Sequence, residues 1–502
     1  MKNKLLRITP HDSVAVAIQP VAKGETLTVD GITVTALEDI PAGHKIALEA
    51  IKAGEPVIKY GYPIGAMKTD IQKGGHVHAD NLHTLLEESG TYRYDEKQAD
   101  AFKAKAEELK KRYEGHVPTI QAYQRSDGRI GIRNELWIVP TVGCVNRIGE
   151  RLVAWADQHL GVEAHIWSHP FGCSQLGDDH EATRKILADL VHHPNAGGVL
   201  VLSLGCENNT PASFRELVGP VDPNRVKFLV CQDVEDEIAS AQKLMTELAE
   251  TMKGDKRTPV PMSRLVVGLK CGGSDGLSGI TANPLVGRFC DALTAMGGTA
   301  ILTEVPEMFG AEQILMNRAD SPAVFDKTVD LINAFKEYFV KHGQVVYENP
   351  SPGNKAGGIS SLEDKSLGCV QKGGHAVVKD VLPYGARVVT PGLNLLSGPG
   401  NDIVSTTALS AAGCHMILFT TGRGTPLGSV VPTLKISSNT PLAEHKPNWI
   451  DFNAGRVLEE DSQKVTDDLI DLVRQCADGT YRTKNEQNGY AEISLFKDGV
   501  IL

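Results

Sequence analysis

The chain has 502 residues, 41% of them hydrophobic and 23% charged, which is too long for one ordinary core and apolar enough for about two to four packed domains. A formal charge of -11 argues against broad nucleic-acid binding, which needs a basic surface to release counterions. Nine cysteines without CxxC spacing, no apolar leader in MKNKLLRITPHDS and no run near the ~20 apolar residues of a membrane span argue against a disulfide-stapled secreted scaffold and a membrane protein, so a reducing cytoplasm is the expected setting.

The first ninety residues carry a short repeat: VAKGETL (21–27), IPAGHKI (40–46), IKAGEPV (51–57) and IQKGGHV (71–77). Each copy reads as a turn at glycine feeding a short strand, because glycine tolerates the turn conformation and the flanking residues alternate in polarity. A compact all-β module over 1–95 is expected. DEKQADAFKAKAEELKKRYEGH follows, rich in Ala, Glu, Lys and Leu and stopped by Gly115, and predicts a helical linker over 96–117.

Beyond residue 118, short apolar runs such as ELWIVPTVGC, GGVLVLSLGCE, RLVVGLKCGGSDG and CHMILFTTGRGTP alternate with amphipathic stretches such as EATRKILADLVHH. Buried strands alternating with helices predict parallel α/β sheets, divided here into domains over 118–260 and 261–502. In such sheets ligands bind beyond the carboxyl ends of strands. Several runs end there in a reactive group: Cys144, Cys173, Cys206 with Glu207, Cys271 with Ser274 and Asp275, Glu304 with Glu307, and Arg423.

In HPFGCSQLGDDH (169–180), His169 and Cys173 converge across a turn, as catalytic groups or as turn chemistry, whereas Asp178 and Asp179 are expected to start a helix. LKCGGSDGLSG (269–279) is suited to hold a carboxylate or phosphate on the backbone of Gly272 and Gly273, with Ser274 orienting and Asp275 as a base. It lacks GxGxxG and the P-loop Lys-Ser/Thr pair, so no nucleotide cofactor is expected. Arg423 in TGRGTP offers a bidentate grip on a carboxylate, or is an exposed structural arginine. HVHADN puts His76 and His78 on one face of a strand, with His44 in AGHK a third imidazole. Neutral imidazole suits Fe, Mn or Zn, although paired surface histidines are commoner than metal sites.

Taken in order, GHKIAL, VIKYGYPIG, HVHADN, RNELWIVPTVGCVN, GCSQLGDDH, LSLGCENN, CGGSDGLSGITANP, TEVPEMFGAEQIL, NPSPGNKAGGISSLEDKSLGC and FTTGRGTP make the chain similar to the altronate and galactarate dehydratase family over nearly its whole length. The resemblance implies an N-terminal SAF-type β-clip module followed by two α/β domains, the last Rossmann-like. It implies dehydration of D-altronate to 2-dehydro-3-deoxy-D-gluconate, with Fe2+ or Mn2+ as cofactor. Galactarate is the alternative substrate, and binding of a sugar acid without turnover is the alternative of another class. On this resemblance His169, Cys173, Asp275 and Ser274 are the expected catalytic residues. Cys206, Glu207, Cys271, Gly272, Gly273 and Arg423 are expected to bind substrate, and His44, His76 and His78 to bind metal. The expected partner is a small sugar acid, with no nucleic acid or membrane, and a homodimer is the candidate assembly. An iron–sulfur dehydratase using Cys144, Cys173, Cys206 or Cys271 stands as a competing enzyme class.

Overall fold

The computed structural model describes residues 3–86 and 91–501. Its N-terminal part consists of nine short strands: β1 (Leu5–Leu6), β2 (Val14–Ala17), β3 (Thr26–Val29), β4 (Ile32–Thr35), β5 (Lys45–Ala47), β6 (Pro56–Lys59), β7 (Tyr62–Met67), β8 (His76–Val77) and β9 (Leu82–His83). They form antiparallel sheets in the orders β1-β2-β5-β8, β3-β4 and β6-β7-β9. The repeat read from sequence is the organising unit. Its four glycines, Gly24, Gly43, Gly54 and Gly74, all adopt positive φ, and its leading residues pair as bridges, Val21 with Ile40 and Ile51 with Ile71.

After helix α1 (Glu96–Tyr113), β10 (Thr119–Gln124) and β11 (Ile130–Gly131) lead into the middle domain. This domain comprises β12 (Glu135–Pro140), α2 (Asn146–His159), β13 (Ala164–Ile166), α3 (Gly177–Val191), β14 (Ala196–Ser203), α4 (Pro211–Val218), β15 (Val226–Val230) and α5 (Glu237–Met252). Its sheet is parallel in the order β13-β12-β14-β15. The chain leaves through β16 (Arg257–Pro261), which pairs antiparallel with β10, so entry and exit share one small sheet.

The C-terminal part contains β17 (Val266–Cys271), α6 (Ala282–Ala295), β18 (Thr299–Leu302), α7 (Glu312–Met316), α8 (Pro322–Lys341), α9 (Pro352–Ala356), α10 (Leu362–Cys369), β19 (Val378–Leu382), β20 (Gly392–Leu396), α11 (Asp402–Ala411), β21 (Met416–Thr421), β22 (Thr433–Ser437) and β23 (Phe452–Asn453). Its seven-stranded sheet runs β19-β20-β18-β17-β21-β22-β23, parallel throughout. Strands such as β18 and β21 are buried at every residue, as expected for a sheet covered on both faces. Connections leave β17 first to β18 on one side and later reach β21 on the other, so the order reverses between β17 and β21. No helix among the described residues is long and apolar enough to cross a membrane.

Half of the β module keeps its own core, with Val21, Val29, Val34, Ile40 and Ile46 buried; the other half, including Val57, Ile64, Met67 and Val77, belongs to the large core of the C-terminal domain. Two devices lock the module to the C-terminal domain. Tyr60, held at φ 61° in the β6–β7 turn, sits against Gly279 and Gly368, where any added Cβ on Gly279 would lie 2.2 Å from its hydroxyl. Lys45 of β5 and Lys59 of β6 both reach Asp364 in the first turn of α10, at 2.9 and 2.8 Å, and all three are essentially inaccessible to water.

Burial opposes ionisation of Asp364, yet the two ammonium groups hold it well below the usual carboxylate range. Burial in turn pulls Lys45 down to about 8, with Asp364 opposing. Removing one partner of such a buried group leaves an uncompensated charge. Asp364→Ala should therefore lower stability by about 3–5 kcal/mol in urea denaturation. Because the folded carboxyl has the depressed pKa, its contribution is complete above the unfolded-state value of about 3.9 and fades as pH falls below it. Asp364→Asn should flatten that acid limb in a pH series of melting curves.

Candidate functional site at the junction of the β module and the C-terminal domain

The turn at Gly43 delivers His44 to the start of β5, and β5 pairs antiparallel with β8 so that Ile46 lies opposite His76. This pairing collects three imidazoles that are remote in sequence. His44 Nδ1 is 3.0 Å from His76 Nε2, and the three ring centroids lie 4.6–5.4 Å apart. One nitrogen from each of His44, His76 and His78 falls within 4.8 Å of the others. Burial depresses all three imidazoles, His78 to about 4, and neighbouring Lys45 adds to the effect. They are neutral at physiological pH, the form a cation requires. His78 Nδ1 is buried with no hydrogen-bond partner. A donor set of neutral, convergent imidazoles with one orphaned nitrogen fits a divalent transition metal.

The module presses this cluster onto the switch point of the large sheet. His44 Nε2 lies 3.3 Å from the carbonyl oxygen of Ala356 at the end of α9. Gly276 approaches so closely that a Cβ there would sit 2.0 Å from the Gly43 carbonyl oxygen, and Gly276 N–H donates to Gly357 O at 2.8 Å. The glycine turn after β17 is thus part of the same junction, together with the turn after β21, whose Arg423 N–H donates to Gly273 O at 3.0 Å. Gly272, Gly273, Ser274, Asp275 and Arg423 all converge here. Arg423 is exposed, and among the described residues no carboxylate pairs with its guanidinium.

Asp275 is fully engaged. Its Oδ1 accepts from Ser278 N–H, Ser278 Oγ and Ser438 Oγ, each at 2.8 Å, and its Oδ2 accepts from Asn439 Nδ2 at 3.1 Å. Burial pushes its carboxyl upward against these donors. The Ser274 carbonyl accepts from Asn354 Nδ2 at 2.8 Å, which ties the turn to α9.

Directly beneath lies an ionic cluster. Lys270 contacts Glu304 and reaches Asp402 at 2.7 Å; Lys372 reaches Glu304 at 3.2 Å and Cys271 Sγ at 2.8 Å; Lys365 reaches Glu307 at 2.8 Å. Glu307 Oε2 accepts from Cys271 and Cys369 at 3.1 and 3.2 Å, with the two sulfurs 3.5 Å apart. Burial opposes the charge on Glu307, but Lys365, Lys270 and Lys372 hold its carboxyl well below the ordinary range. Glu304 adopts φ 68°, a left-handed conformation that bulky residues keep only when their surroundings dictate it. Sequence reading noted Glu304, Glu307 and Cys271 at strand ends, but missed Lys270, Lys365, Lys372, Cys369, Asp364 and Asp402. Single charges inside apolar runs were the available signal.

His169, Cys173, Cys206 and Glu207 belong to loops of the middle domain. His169 is buried and pushed down to about 4, with Nε2 2.9 Å from Pro140 O and Nδ1 accepting from Phe171 N–H. Glu207 is buried and takes Thr141 Oγ1 at 2.6 Å and Gly205 N–H at 2.6 Å. Asp178 and Asp179 occupy the first turn of α3, as read from the sequence.

Comparison with known proteins agrees with this layout. Residues 3–85 match the altronate/galactarate dehydratase SAF domain, 122–253 the D-galactarate dehydratase/altronate hydrolase second domain, and 262–501 the D-galactarate/altronate dehydratase C-terminal domain. The chain is 51% identical to altronate dehydratase of Escherichia coli K12 over 503 residues, covering 99% of both chains. It is also 51% identical to altronate dehydratase of Bacillus subtilis 168 over 508 residues, again 99% of both. Identity to the galactarate dehydratase (L-threo-forming) of E. coli K12 is 31%, over 98% of this chain and 96% of that one. With all three segments matched and full-length relatives on both sides, the chain belongs to the altronate/galactarate dehydratase family.

Proposed function

We propose that this chain is a hydro-lyase that dehydrates D-altronate to 2-dehydro-3-deoxy-D-gluconate, using a divalent cation, Fe2+ or Mn2+, held by His44, His76 and His78. The observation that carries the substrate assignment is the 51% identity over 99% of the length to altronate dehydratases, against 31% to a galactarate dehydratase. We also read the seven-stranded C-terminal sheet as a Rossmann-like variant used without a nucleotide, since its glycine turn lacks the dinucleotide fingerprint.

Removing water from a 2,3-dihydroxy acid means taking the C2 proton beside a carboxylate and expelling the C3 hydroxyl. The cation, when bound, supplies Lewis-acid stabilisation of the charge that accumulates on the carboxylate, several kcal/mol in comparable reactions. Arg423, an exposed guanidinium with no carboxylate partner among the described residues, grips the substrate carboxylate, a geometry its planar fork favours. Gly272 and Gly273 let the turn approach, and Ser274 orients a hydroxyl. Asp275, with its oxygens engaged by Ser278, Ser438 and Asn439, acts by holding this turn rigid. The three imidazoles, neutral at working pH, offer their lone pairs to the cation and so would hold and orient it rather than carry the C2 proton. The enol product then tautomerises to the 2-keto acid without a redox cofactor.

Three outcomes are expected. Thorough chelation should abolish keto-acid formation from altronate, and iron(II) or manganese(II) should restore it; undiminished turnover by chelated enzyme would remove the metal from the mechanism. His44→Ala and His78→Ala should each lower bound metal, measured by elemental analysis, and reduce kcat/KM at least ~100-fold while the circular dichroism spectrum is unchanged. In a panel of aldonic and aldaric acids altronate should have the highest kcat/KM, and a preference for galactarate would reassign the substrate.

A further inference from the structure

Free cysteines are among the most buried residue types in proteins. Cys271, Cys290, Cys369, Cys414 and Cys476 follow that rule here, but Cys144, Cys173 and Cys206 are exposed. All three exposed thiols stand at one end of one sheet. Cys144 follows β12, Cys173 follows β13 and Cys206 follows β14, three neighbouring parallel strands with β12 in the centre. The chain steps from β12 to β13 on one side and then to β14 on the other, so the carboxyl end of β12 is the switch point of this sheet, where open α/β folds bind their ligands.

The three loops are tied to one another. Gly143 N–H donates to Phe171 O at 2.9 Å, and Asn146 Nδ2 donates to His169 O at 2.9 Å, joining the Cys144 and Cys173 loops. Asn209 N–H donates to Gly172 O at 3.0 Å, and Asn208 Oδ1 accepts from Ser174 N–H at 2.8 Å and from Cys173 Sγ at 3.4 Å, joining the Cys173 and Cys206 loops. His169 and Glu207, both buried and engaged with backbone groups, brace the same loops from below. The three sulfurs are not among the groups whose ligand atoms close to within 4.8 Å of one another, so their spacing is wider than a single ion would need.

The field around them suits an anion. The single 3-10 turn carrying Cys144, Gly143–Val145, runs directly into α2, and α3 begins four residues after Cys173. Neither helix has a side-chain cap on its first turn: Val145 and Leu176 stand at the cap positions of α2 and α3. The N-terminal N–H groups and positive dipole end of α2 are thus left at the same edge as three thiols, whereas α3 carries Asp178 and Asp179 in its first turn.

We propose that Cys144, Cys173 and Cys206 ligate an iron–sulfur cluster of the [4Fe–4S] type and leave its fourth iron without a protein ligand. Binding replaces three thiol protons, released to solvent, by a cationic cluster core, so the ligated site carries roughly one net negative charge, which suits the uncapped start of α2. Asn208, next to Cys173, and Gln232, whose Nε2 is 3.5 Å from Cys206 Sγ, provide polar contacts that adjust the cluster electronically. The open iron is a Lewis acid for an oxygen ligand, the hydroxyl or carboxylate of a hydroxy acid. The buried pair Cys271 and Cys369 is a different arrangement: Glu307 and Lys372 occupy its surroundings and no third cysteine joins it among the described residues.

This assignment does not rest on the imidazole site, and the test separates the two. The full-length protein, reconstituted under argon with ferrous iron, sulfide and a thiol reductant, should become brown and hold about four acid-labile sulfide per chain, with about four iron beyond the one the imidazole site takes. Mild oxidation with ferricyanide should expel the unligated iron and produce a paramagnetic three-iron form visible by electron paramagnetic resonance. Cys144→Ser, Cys173→Ser and Cys206→Ser should each lose the colour and the sulfide with unchanged circular dichroism, whereas Cys369→Ser and His44→Ala should keep both. A colourless reconstituted wild-type protein, or a cluster retained in all three exposed-cysteine variants, would overturn the proposal. A stable four-iron cluster that resists ferricyanide would overturn the open iron.

Discussion

The structure depends on one buried charge, Asp364, placed where two domains meet. A carboxylate without water is costly, and here it is stabilised by two ammonium groups that arrive from the opposite side of the interface, Lys45 and Lys59. The same carboxylate accepts from Ser360 N–H at 3.0 Å, while Lys45 also donates to Gly358 O at 2.7 Å. The bonds made by Lys45 and Lys59 are lost if the β module separates. The interface is therefore specified by polar geometry as well as by apolar area, and its register is set to the neighbouring residue, His44.

From that registration the junction follows. His44 immediately precedes Lys45, the first residue of β5, so fixing the ammonium fixes the imidazole, and β5–β8 pairing then brings His76 and His78 beside it. On the other side, Asp364 opens the helix whose next residue, Lys365, reaches Glu307 in the ionic cluster. The close contacts of Gly43 with Gly276 and of Tyr60 with Gly279 and Gly368 leave no room for side chains at these points. The glycine excess of the chain is spent partly here, where two domains approach backbone to backbone.

Both parallel sheets present chemistry at their carboxyl ends, but of different kinds. The C-terminal sheet offers a rigid turn, an exposed guanidinium and imidazoles donated by another domain. Below it Lys270, Lys365 and Lys372 face Glu304, Glu307 and the half-buried Asp402, an equal number of cations and anions, which keeps the floor of the junction fixed. The middle sheet offers exposed sulfur and uncapped helix ends. The histidine and glutamate beside these sulfurs, His169 and Glu207, have their polar atoms committed to the backbone and shape the loops.

The sequence by itself determined the class of each segment. Glycine-led heptapeptides specify tight turns into strands, continuous apolar runs specify buried parallel strands, and the reactive groups at the ends of those runs mark the edges where ligands bind. The order of motifs along the chain was enough to assign the family. What tertiary structure decided was convergence. His44 and His76 are 32 positions apart and meet only because β5 and β8 pair. Lys45, Lys59, Lys270 and Lys372 stand out in sequence at most as single charges in or beside apolar runs, and only burial against remote carboxylates shows their role. HPFGC and CGGSD read alike as polar strand-end turns, yet they fall in different domains with different neighbours. Local propensity acts over a few residues, whereas the cost of burying a charge is settled by partners that only the folded chain supplies.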